Sequence, residues 1–310
     1  MIVVIGGTGF IGKSLLLELH KAGRRALSVS RQPDRQFIAK HATSAEAMTL
    51  ESFRADPAAA LFGCSAVVYL ATTSTPGANS DEPWKEAQDN LDPLIRLLNA
   101  VQRYSPKTHV VFLSSGGAIY GRSTDEKLHE ASPLNPISPY GLGKLLMENT
   151  LQFMARTAGL RTTILRPSNP IGHFQTSRSQ GVVGALMRAA ETGDTFPMLG
   201  DGSAIRDYFD VADLVTGILS TIDQPQVTVG EIFNIGSGEG YSVKQMLELV
   251  ENVTDRPIAV QQLPARHTDV DRVVLNIEKM KAATGWLPAH EMRKSLEEIW
   301  RLRDLTLNCP

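Results

Sequence analysis

Short, unbroken apolar runs alternate with stretches of helical spacing through the first half of the chain. Ile2–Ile5, Ala26–Val29, Ala66–Ala71 and Val110–Ser115 are the runs. Between the first two, glycines punctuate Gly6–Gly12, and Lys13–Ala22 then places Leu15, Leu16 and Leu19 at helical spacing. Between the last two, Trp84, Ala87, Leu91, Leu94, Ile95, Leu98 and Val101 predict one continuous helix over Trp84–Tyr104. Apolar strands bounded by helices indicate a parallel sheet covered on both faces. Right-handed crossovers then make that sheet doubly wound. After Arg166 the alternation breaks: Pro167–Gln180 is rich in Pro, Ser, Asn and Gly, and later elements are shorter. The expected organisation is therefore α/β, with residues 1–168 forming the sheet domain and 169–310 a smaller C-terminal cap, mainly 169–210 and 237–310. A helix at Val211–Ile222 and a strand at Ile232–Ile235 make 211–236 return to the first domain.

Composition narrows the function classes. At 310 residues, one large or two intimate domains are expected, and 42% hydrophobic with 21% charged residues is ordinary for a globular enzyme. The 31 basic and 33 acidic residues are well mixed, giving a net charge of −2 and no basic stripe, which argues against a nucleic-acid partner. Any anionic ligand must be held locally. Cys64 and Cys309 fit neither a zinc spacing nor a disulfide framework, so no metal site is expected. The chain opens into a strand without a basic n-region, and no apolar run approaches the roughly 18–20 residues of a membrane span. A cytoplasmic protein with no membrane partner is expected.

Gly6, Gly9 and Gly12 follow a strand and open a helix. In that setting glycines allow a tight turn, a close approach of pyrophosphate to backbone, and close helix–strand packing. The helix N-terminus offers unpaired N–H groups to the phosphates. This is a Rossmann-type dinucleotide site. An acid near the end of the second strand would favour NAD, but the chain reads Val29-Ser30-Arg31. Arg31 can pair with a 2′-phosphate, which leans the choice between NAD and NADP toward NADP. The alternative is that Ser30 bonds the ribose hydroxyl and Arg31 is merely solvated.

Tyr140 and Lys144, spaced i and i+4, share one helix face. An ammonium beside a phenol favours the phenolate, so Tyr140 is expected to be a usable base near neutrality. The pair follows the strand end Phe112-Leu-Ser-Ser-Gly-Gly-Ala-Ile-Tyr-Gly121. Together with Asn90, Leu165-Arg-Pro-Ser-Asn-Pro-Ile-Gly172, Gly200-Asp-Gly-Ser-Ala-Ile-Arg-Asp-Tyr208, Phe233-Asn-Ile-Gly236, Pro264-Ala-Arg-His-Thr-Asp269 and Gly285-Trp286, this order of motifs resembles the extended short-chain dehydrogenase/reductases. It is most similar to the NAD-dependent epimerase/dehydratase family, in particular the nucleotide-sugar epimerases typified by UDP-glucose 4-epimerase. The resemblance implies that Tyr140 takes a proton from a sugar hydroxyl while hydride passes to the nicotinamide. Lys144 would hold the nicotinamide ribose, and Asn90 the cofactor side of the site. The implied cofactor-binding set is completed by Phe10, Ile11, Leu70, Ala71, Ser114 and Pro167.

On the substrate side, the resemblance assigns Arg206 and Arg266 to a nucleotide diphosphate, Asn169 to the phosphate side of the sugar, and Asp269 to a ribose hydroxyl. Val182 and Val183 would help to enclose the base. His173 and Gln175 read as loop structure. Such enzymes place Ser or Thr four residues before the tyrosine of the Tyr-Gly strand end, and here that residue is Gly116. Ser115 and Gly116 are the candidate catalytic positions here beside Tyr140 and Lys144, although by strand alternation Ser115 should face the wrong way, while Ser114 faces correctly but about 6.5–7 Å back. The loss of one positioned hydrogen bond should cost about 1–3 kcal/mol. Related sugar 4,6-dehydratases carry Asp-Glu next, where this chain has Gly117 and Ala118, so dehydration is excluded. The two long helices carry apolar stripes that could simply cover the sheet, but relatives pair these helices across a dimer interface, so the resemblance implies a homodimer. Two further readings stay open: an NADPH-dependent nucleotide-sugar ketoreductase, and a non-catalytic NAD(P)-binding sensor, against which the intact Tyr140 and Lys144 argue.

Overall fold

The computed structural model describes residues 1–75, 82–175, 181–265 and 270–307. Arg266, Asp269 and Cys309 lie outside these residues. The chain first lays down β1 (Ile2–Ile5), β2 (Ala26–Ser30), β3 (Ala45–Thr49), β4 (Ala66–Tyr69), β5 (His109–Leu113) and β6 (Arg161–Pro167). Four short strands follow in the cap: β7 (Asn169–Ile171), β8 (Phe196–Leu199), β9 (Ile205–Arg206) and β10 (Tyr208–Asp210). Then β11 (Ile232–Ile235) returns to the main sheet, whose order is β3-β2-β1-β4-β5-β6-β11 with every pairing parallel. The order reverses at β1, where Ile5 lies opposite Val29 on one side and Tyr69 on the other. Open α/β sheets bind ligands at such a switch point, beyond the carboxyl ends of the strands.

Both sheet faces are covered, which is why the strands lack polar alternation. Ile2 and Val4 point into one layer, with Leu15 and Leu19 of α1 (Phe10–Lys21) and Leu214 and Ile218 of the helix Val211–Asp223. Val3 and Ile5 point into the other, with Leu94 and Leu98 of Asp92–Tyr104 and Met147 and Leu151 of Pro139–Ala158. The segment 211–235 thus rejoins the sheet, its helix against α1 and its strand against β6. The cap has a separate core around Ile171, Leu186, Phe196, Met246 and Leu296.

Three sequence expectations are corrected. The run Val110–Ser115 is a strand only as far as Leu113. Beyond it the backbone turns, Ile119 N–H donating to the Ser115 carbonyl at 3.1 Å, so the side-chain alternation assumed for Ser114 and Ser115 does not hold. The helix over Trp84–Tyr104 is not continuous: a π-helical turn at Ala87–Leu91 separates Trp84–Glu86 from Asp92–Tyr104. Pro93 has no N–H to donate to the preceding turn, which loosens the ladder there. Before the break the expected inward face is reversed: Trp84 and Ala87 are exposed, and Glu86 and Asn90 are buried. Third, Val183 is 1% exposed within the cap core, so it does not enclose a ligand base.

Candidate active site

The glycine loop closes the carboxyl end of β1 over the switch point. Gly6 has φ +93°, and a Cβ there would lie 2.9 Å from the Ala71 nitrogen, so this glycine lets β1 and the end of β4 meet. Gly12 is equally confined, with the Gly6 carbonyl 2.4 Å from its Cβ position. Gly7, which sequence reading passed over, is confined too: a Cβ there would lie 2.2 Å from the Ser28 hydroxyl. Gly9 differs. A Cβ there would meet only the Gly6 oxygen, at 3.4 Å, so protein packing does not demand a glycine. Its bareness leaves a cradle over α1, whose N-cap is Gly9, with no side-chain cap and no acidic residue in the first turn. Phe10 and Ile11 supply the first turn, and Leu70 and Ala71 line the far side of Gly6. Two buried hydroxyls without partners, of Ser30 and Ser114, sit at the same sheet edge, at the ends of β2 and β5. A bare anion-binding helix start and orphaned hydroxyls at the ribose positions fit a dinucleotide.

Across this edge the helix Pro139–Ala158 starts from an N-cap at Ser138, whose hydroxyl accepts from Gly141 N–H at 3.1 Å. That start fixes Tyr140 and Lys144 in its first two turns. Lys144 is buried; its ammonium donates to the Leu113 carbonyl at 2.9 Å and lies 5.7 Å from the centre of the Tyr140 ring. Burial pushes the ammonium down to about 8, against upward pulls from Glu86 and Glu148. Burial also pushes the half-buried Tyr140 phenol up to about 12, opposed by a hydrogen bond with Ser115 and reinforced by Glu86. Desolvation of the phenolate is thus the largest influence on Tyr140.

Ser115 was expected to face away; instead its hydroxyl lies on the Tyr140 side, close enough to lower the proton affinity of the phenol. The early end of β5 is the cause. Gly116 bonds Pro167 through its backbone, N–H to O at 2.8 Å. A Cβ at Gly116 would lie 2.6 Å from Leu275 Cδ1 and 3.0 Å from the Arg166 carbonyl, so a serine has no room there. Position 117 adjoins both Asn169 Oδ1 and Ser115 Oγ, at 3.8 and 3.9 Å from a notional Cβ. Asn169 is held on β7 by its side-chain amide, which donates to the Asp207 carbonyl at 3.0 Å. The fold thus brings Ser115, Tyr140, Lys144 and Asn169 to one crevice.

Asn90 is buried behind them. Its Oδ1 accepts from Thr73 N–H at 2.8 Å, and its amide donates to Glu86 Oε2 at 2.8 Å, tying the π turn to the loop after β4. Glu86 was missed in the sequence, where a glutamate following a lysine reads as surface. Arg206, half buried on β9, donates to the Ile205 carbonyl at 2.8 Å. Arg31 is exposed beside the buried Ser30. His173 packs against Phe174 with ring centres 3.8 Å apart and planes tilted by 47°, and Gln175 N–H donates to the Gly172 carbonyl. Cys64 is buried, its thiol donating to the Ala66 carbonyl at 3.0 Å. Among the described residues no His, Cys, Asp and Glu cluster could hold a metal, and no helix is long and apolar enough to cross a membrane.

A second cluster lies behind the crevice. Arg166 donates to both Glu148 oxygens, its shortest contact being 2.7 Å, and to the Tyr120 hydroxyl at 3.0 Å. Tyr120 in turn donates to Asn234 at 2.6 Å. These bonds join β6, β11, the catalytic helix and the Tyr-Gly turn.

Comparison with known proteins agrees with this geometry. Residues 2–236 match the model of the NAD dependent epimerase/dehydratase family. A UDP-glucose 4-epimerase of Lactobacillus helveticus is 30% identical, with 94% of this chain and 92% of that protein aligned. An Escherichia coli dTDP-4-dehydro-6-deoxyglucose reductase is 26% identical over 96% of each chain. Among solved structures, UDP-glucose 4-epimerase from Thermotoga maritima with UDP-glucose superimposes with a TM-score of 0.89 at 29% identity, covering 99% of both chains. The chain belongs to the NAD dependent epimerase/dehydratase family.

Proposed function

We propose that this protein is a nucleotide-sugar 4-epimerase. The observation that carries the reading is the convergence of Ser115, Tyr140 and Lys144 on the crevice beyond the glycine loop. Gly9, the N–H groups of Phe10 and Ile11, and Ser30 would hold the dinucleotide phosphates and ribose. Ser114, Lys144, Asn90 and Pro167 would border its nicotinamide end. When bound, an oxidised nicotinamide supplies a hydride acceptor and a positive charge beside the phenol. The chain does the proton work. Tyr140 takes the proton of the sugar C4 hydroxyl and later returns it. Ser115 orients that phenol, and Lys144 keeps the site cationic. Asn169, Arg206, Arg266 and Asp269 would hold the nucleotide diphosphate, guanidinium forks suiting phosphate oxygens. Gly117 and Ala118 offer no proton donor for dehydration.

The test is incubation with UDP-glucose and UDP-N-acetylglucosamine, following 4-epimer formation by NMR. Turnover without net consumption of cofactor is expected. Stoichiometric oxidation of NADPH would instead point to a ketoreductase, and absence of turnover with any nucleoside-diphosphate sugar would overturn the reading. Ser115→Ala should lower turnover about 10- to 100-fold, the worth of one positioned hydrogen bond.

Two finer points belong to the same reading. NADP is the proposed dinucleotide. No carboxylate stands at Ser30-Arg31, and the nearest acid, Asp34, is committed to Lys13 at 2.7 Å and to capping Phe37 N–H. Calorimetry should find NADPH binding tighter than NADH, with Arg31→Ala removing the difference. A homodimer is also proposed. Leu142, Leu146 and Phe153 line the outer face of the catalytic helix and are 39%, 37% and 56% exposed. Light scattering showing a single 33.8 kDa species would exclude the dimer.

A further inference from the structure

Next to the acid–base pair lies a buried carboxylate that the reaction does not consume. Glu86 is 5% exposed, and its Oε2 accepts from Asn90 Nδ2 at 2.8 Å and from Ser74 Oγ at 2.9 Å. Those partners are neutral. The other carboxylate acting on Lys144, Glu148, is on the same helix and is matched by the Arg166 guanidinium of β6 at 2.7 Å. Glu86 reaches its place only because residue 143 is glycine. A Cβ at Gly143 would lie 2.6 Å from Glu86 Oε2 and 3.0 Å from its Cβ. Gly143 immediately precedes Lys144 on the helix, so the vacated space sets the carboxylate beside the turn that carries the ammonium. Burying a charge that neutral groups alone satisfy costs stability, so a seat cut for one calls for a compensating charge.

We propose that Glu86 is a positioning residue for the catalytic pair: seated in the space left by Gly143, its carboxylate is the fixed counter-charge that keeps the Lys144 ammonium protonated and in place beside Tyr140. The inference rests on the acid–base roles given to Tyr140 and Lys144 above. The charged and titratable groups facing Lys144 are Tyr140 and Glu148 from its own helix, Glu86 from Trp84–Glu86, and Arg166 from β6 through Glu148. A negative charge raises the proton affinity of both members of the pair, and Glu86 acts in that sense on both, against the larger downward effect of burial on the ammonium. Neutralising Glu86 should lower both. Because both proton affinities fall, the two limbs of the activity profile should then move together toward lower pH. For charges several ångströms apart in a partly screened site the displacement is about 1 pH unit.

The experiment uses the full chain and two readouts. Competitive labelling with acetic anhydride across pH, with the Lys144 peptide quantified by mass spectrometry, gives the ammonium titration without any substrate. The pH profile of UDP-sugar epimerisation gives both limbs. Glu86→Gln should lower the Lys144 midpoint by about 1 unit and slide both limbs the same way, whereas Glu86→Asp should stay near wild type. Gly143→Ala displaces the carboxylate without removing its charge and should give a smaller shift in the same direction. It keeps the test open if the Gln variant folds poorly. Coincident Lys144 titrations in wild type, Glu86→Gln and Gly143→Ala would overturn the proposal. If the wild type turns over no nucleotide sugar, the functional reading fails, and the labelling result still decides whether Glu86 is the counter-charge.

Discussion

Among the described residues, Tyr120 with Arg166 and Tyr140 with Lys144 each pair a phenol with a buried cation, and they are built in opposite ways. Arg166 lies with its guanidinium 5.2 Å from the Tyr120 ring centre, and Lys144 with its ammonium 5.7 Å from that of Tyr140. Burial acts against the charge of both cations. At Arg166 the hydrogen bonds and charge of Glu148, with help from Tyr120, more than offset it and hold the guanidinium above its usual value. At Lys144 burial wins, and the ammonium falls to about 8. The Tyr120 hydroxyl both donates to Asn234 and accepts from Arg166, so it is satisfied twice. Tyr140 is only half buried and has Ser115 as its partner, which leaves capacity on the crevice side. A fully matched network rigidifies, while an under-matched one stays reactive.

The largest contrast should come from removing each hydroxyl in turn. Tyr140→Phe removes the group that moves the proton, and turnover should fall about 10²–10⁴-fold with little change in the urea midpoint. Tyr120→Phe should do the reverse. It takes the donor from Asn234 Oδ1 and leaves Arg166 Nη1 with the Glu130 carbonyl alone, so about 1–3 kcal/mol of stability is lost while turnover in the folded fraction persists. If Tyr120→Phe abolished turnover without destabilising, the division between the two pairs would be wrong.

Next in size is the ion pair itself. Glu148→Ala leaves a guanidinium buried without its partner and should destabilise by about 3–5 kcal/mol in urea unfolding. Replacing both members with apolar residues, Arg166→Met with Glu148→Leu, should cost less than Glu148→Ala alone, because no charge is then stranded. Lys144 bears its burial cost in a pH-dependent form. Its pKa falls from 10.5 unfolded to about 8 folded, so above pH 8 the unfolded chain holds the extra proton. Native stability therefore rises from pH 8 toward 10.5 as the buried charge is relieved. The wild type should gain up to about 3 kcal/mol over Lys144→Met across that window, checked by urea titrations at each pH.

Much of the fold was legible because it is written in local pattern. The apolar runs at β1, β2 and β4, the glycines after β1, and Tyr140 one turn before Lys144 are short-range signals. The sheet and its covering helices follow from them. What escaped depends on contacts distant in sequence. Strand alternation placed Ser115 on the wrong side because nothing local announces that β5 ends at Leu113. Glu86 was hidden by an exposed Trp84 and Lys85, and its burial is decided by Gly143 on another helix. The π turn before Pro93 exchanged the inward face of a helix whose apolar spacing read cleanly. Arg166 and Glu148 find each other across 18 positions, a spacing no motif encodes.

The smallest expected effect lies where the two pairs adjoin, at Gly116. Its backbone bonds Pro167, the residue after Arg166, and the next residue back, Ser115, bonds Tyr140. Its lack of a side chain reads in sequence as a lost catalytic hydroxyl, but in space it is the room taken by Leu275, which is fully buried. Gly116→Ser would therefore not restore a hydroxyl cheaply. It should destabilise by about 1–3 kcal/mol through overpacking against the Leu275 methyls and the Arg166 carbonyl. Leu275→Ala alone should cost about 2–5 kcal/mol by leaving a cavity. Together they should cost less than their sum by about 1 kcal/mol, since the methyls that clash are the ones removed. Strict additivity in urea unfolding would mean that the Arg166 carbonyl alone enforces the glycine. In that case the structural pair, and not the cap residue Leu275, dictates where the catalytic hydroxyl sits.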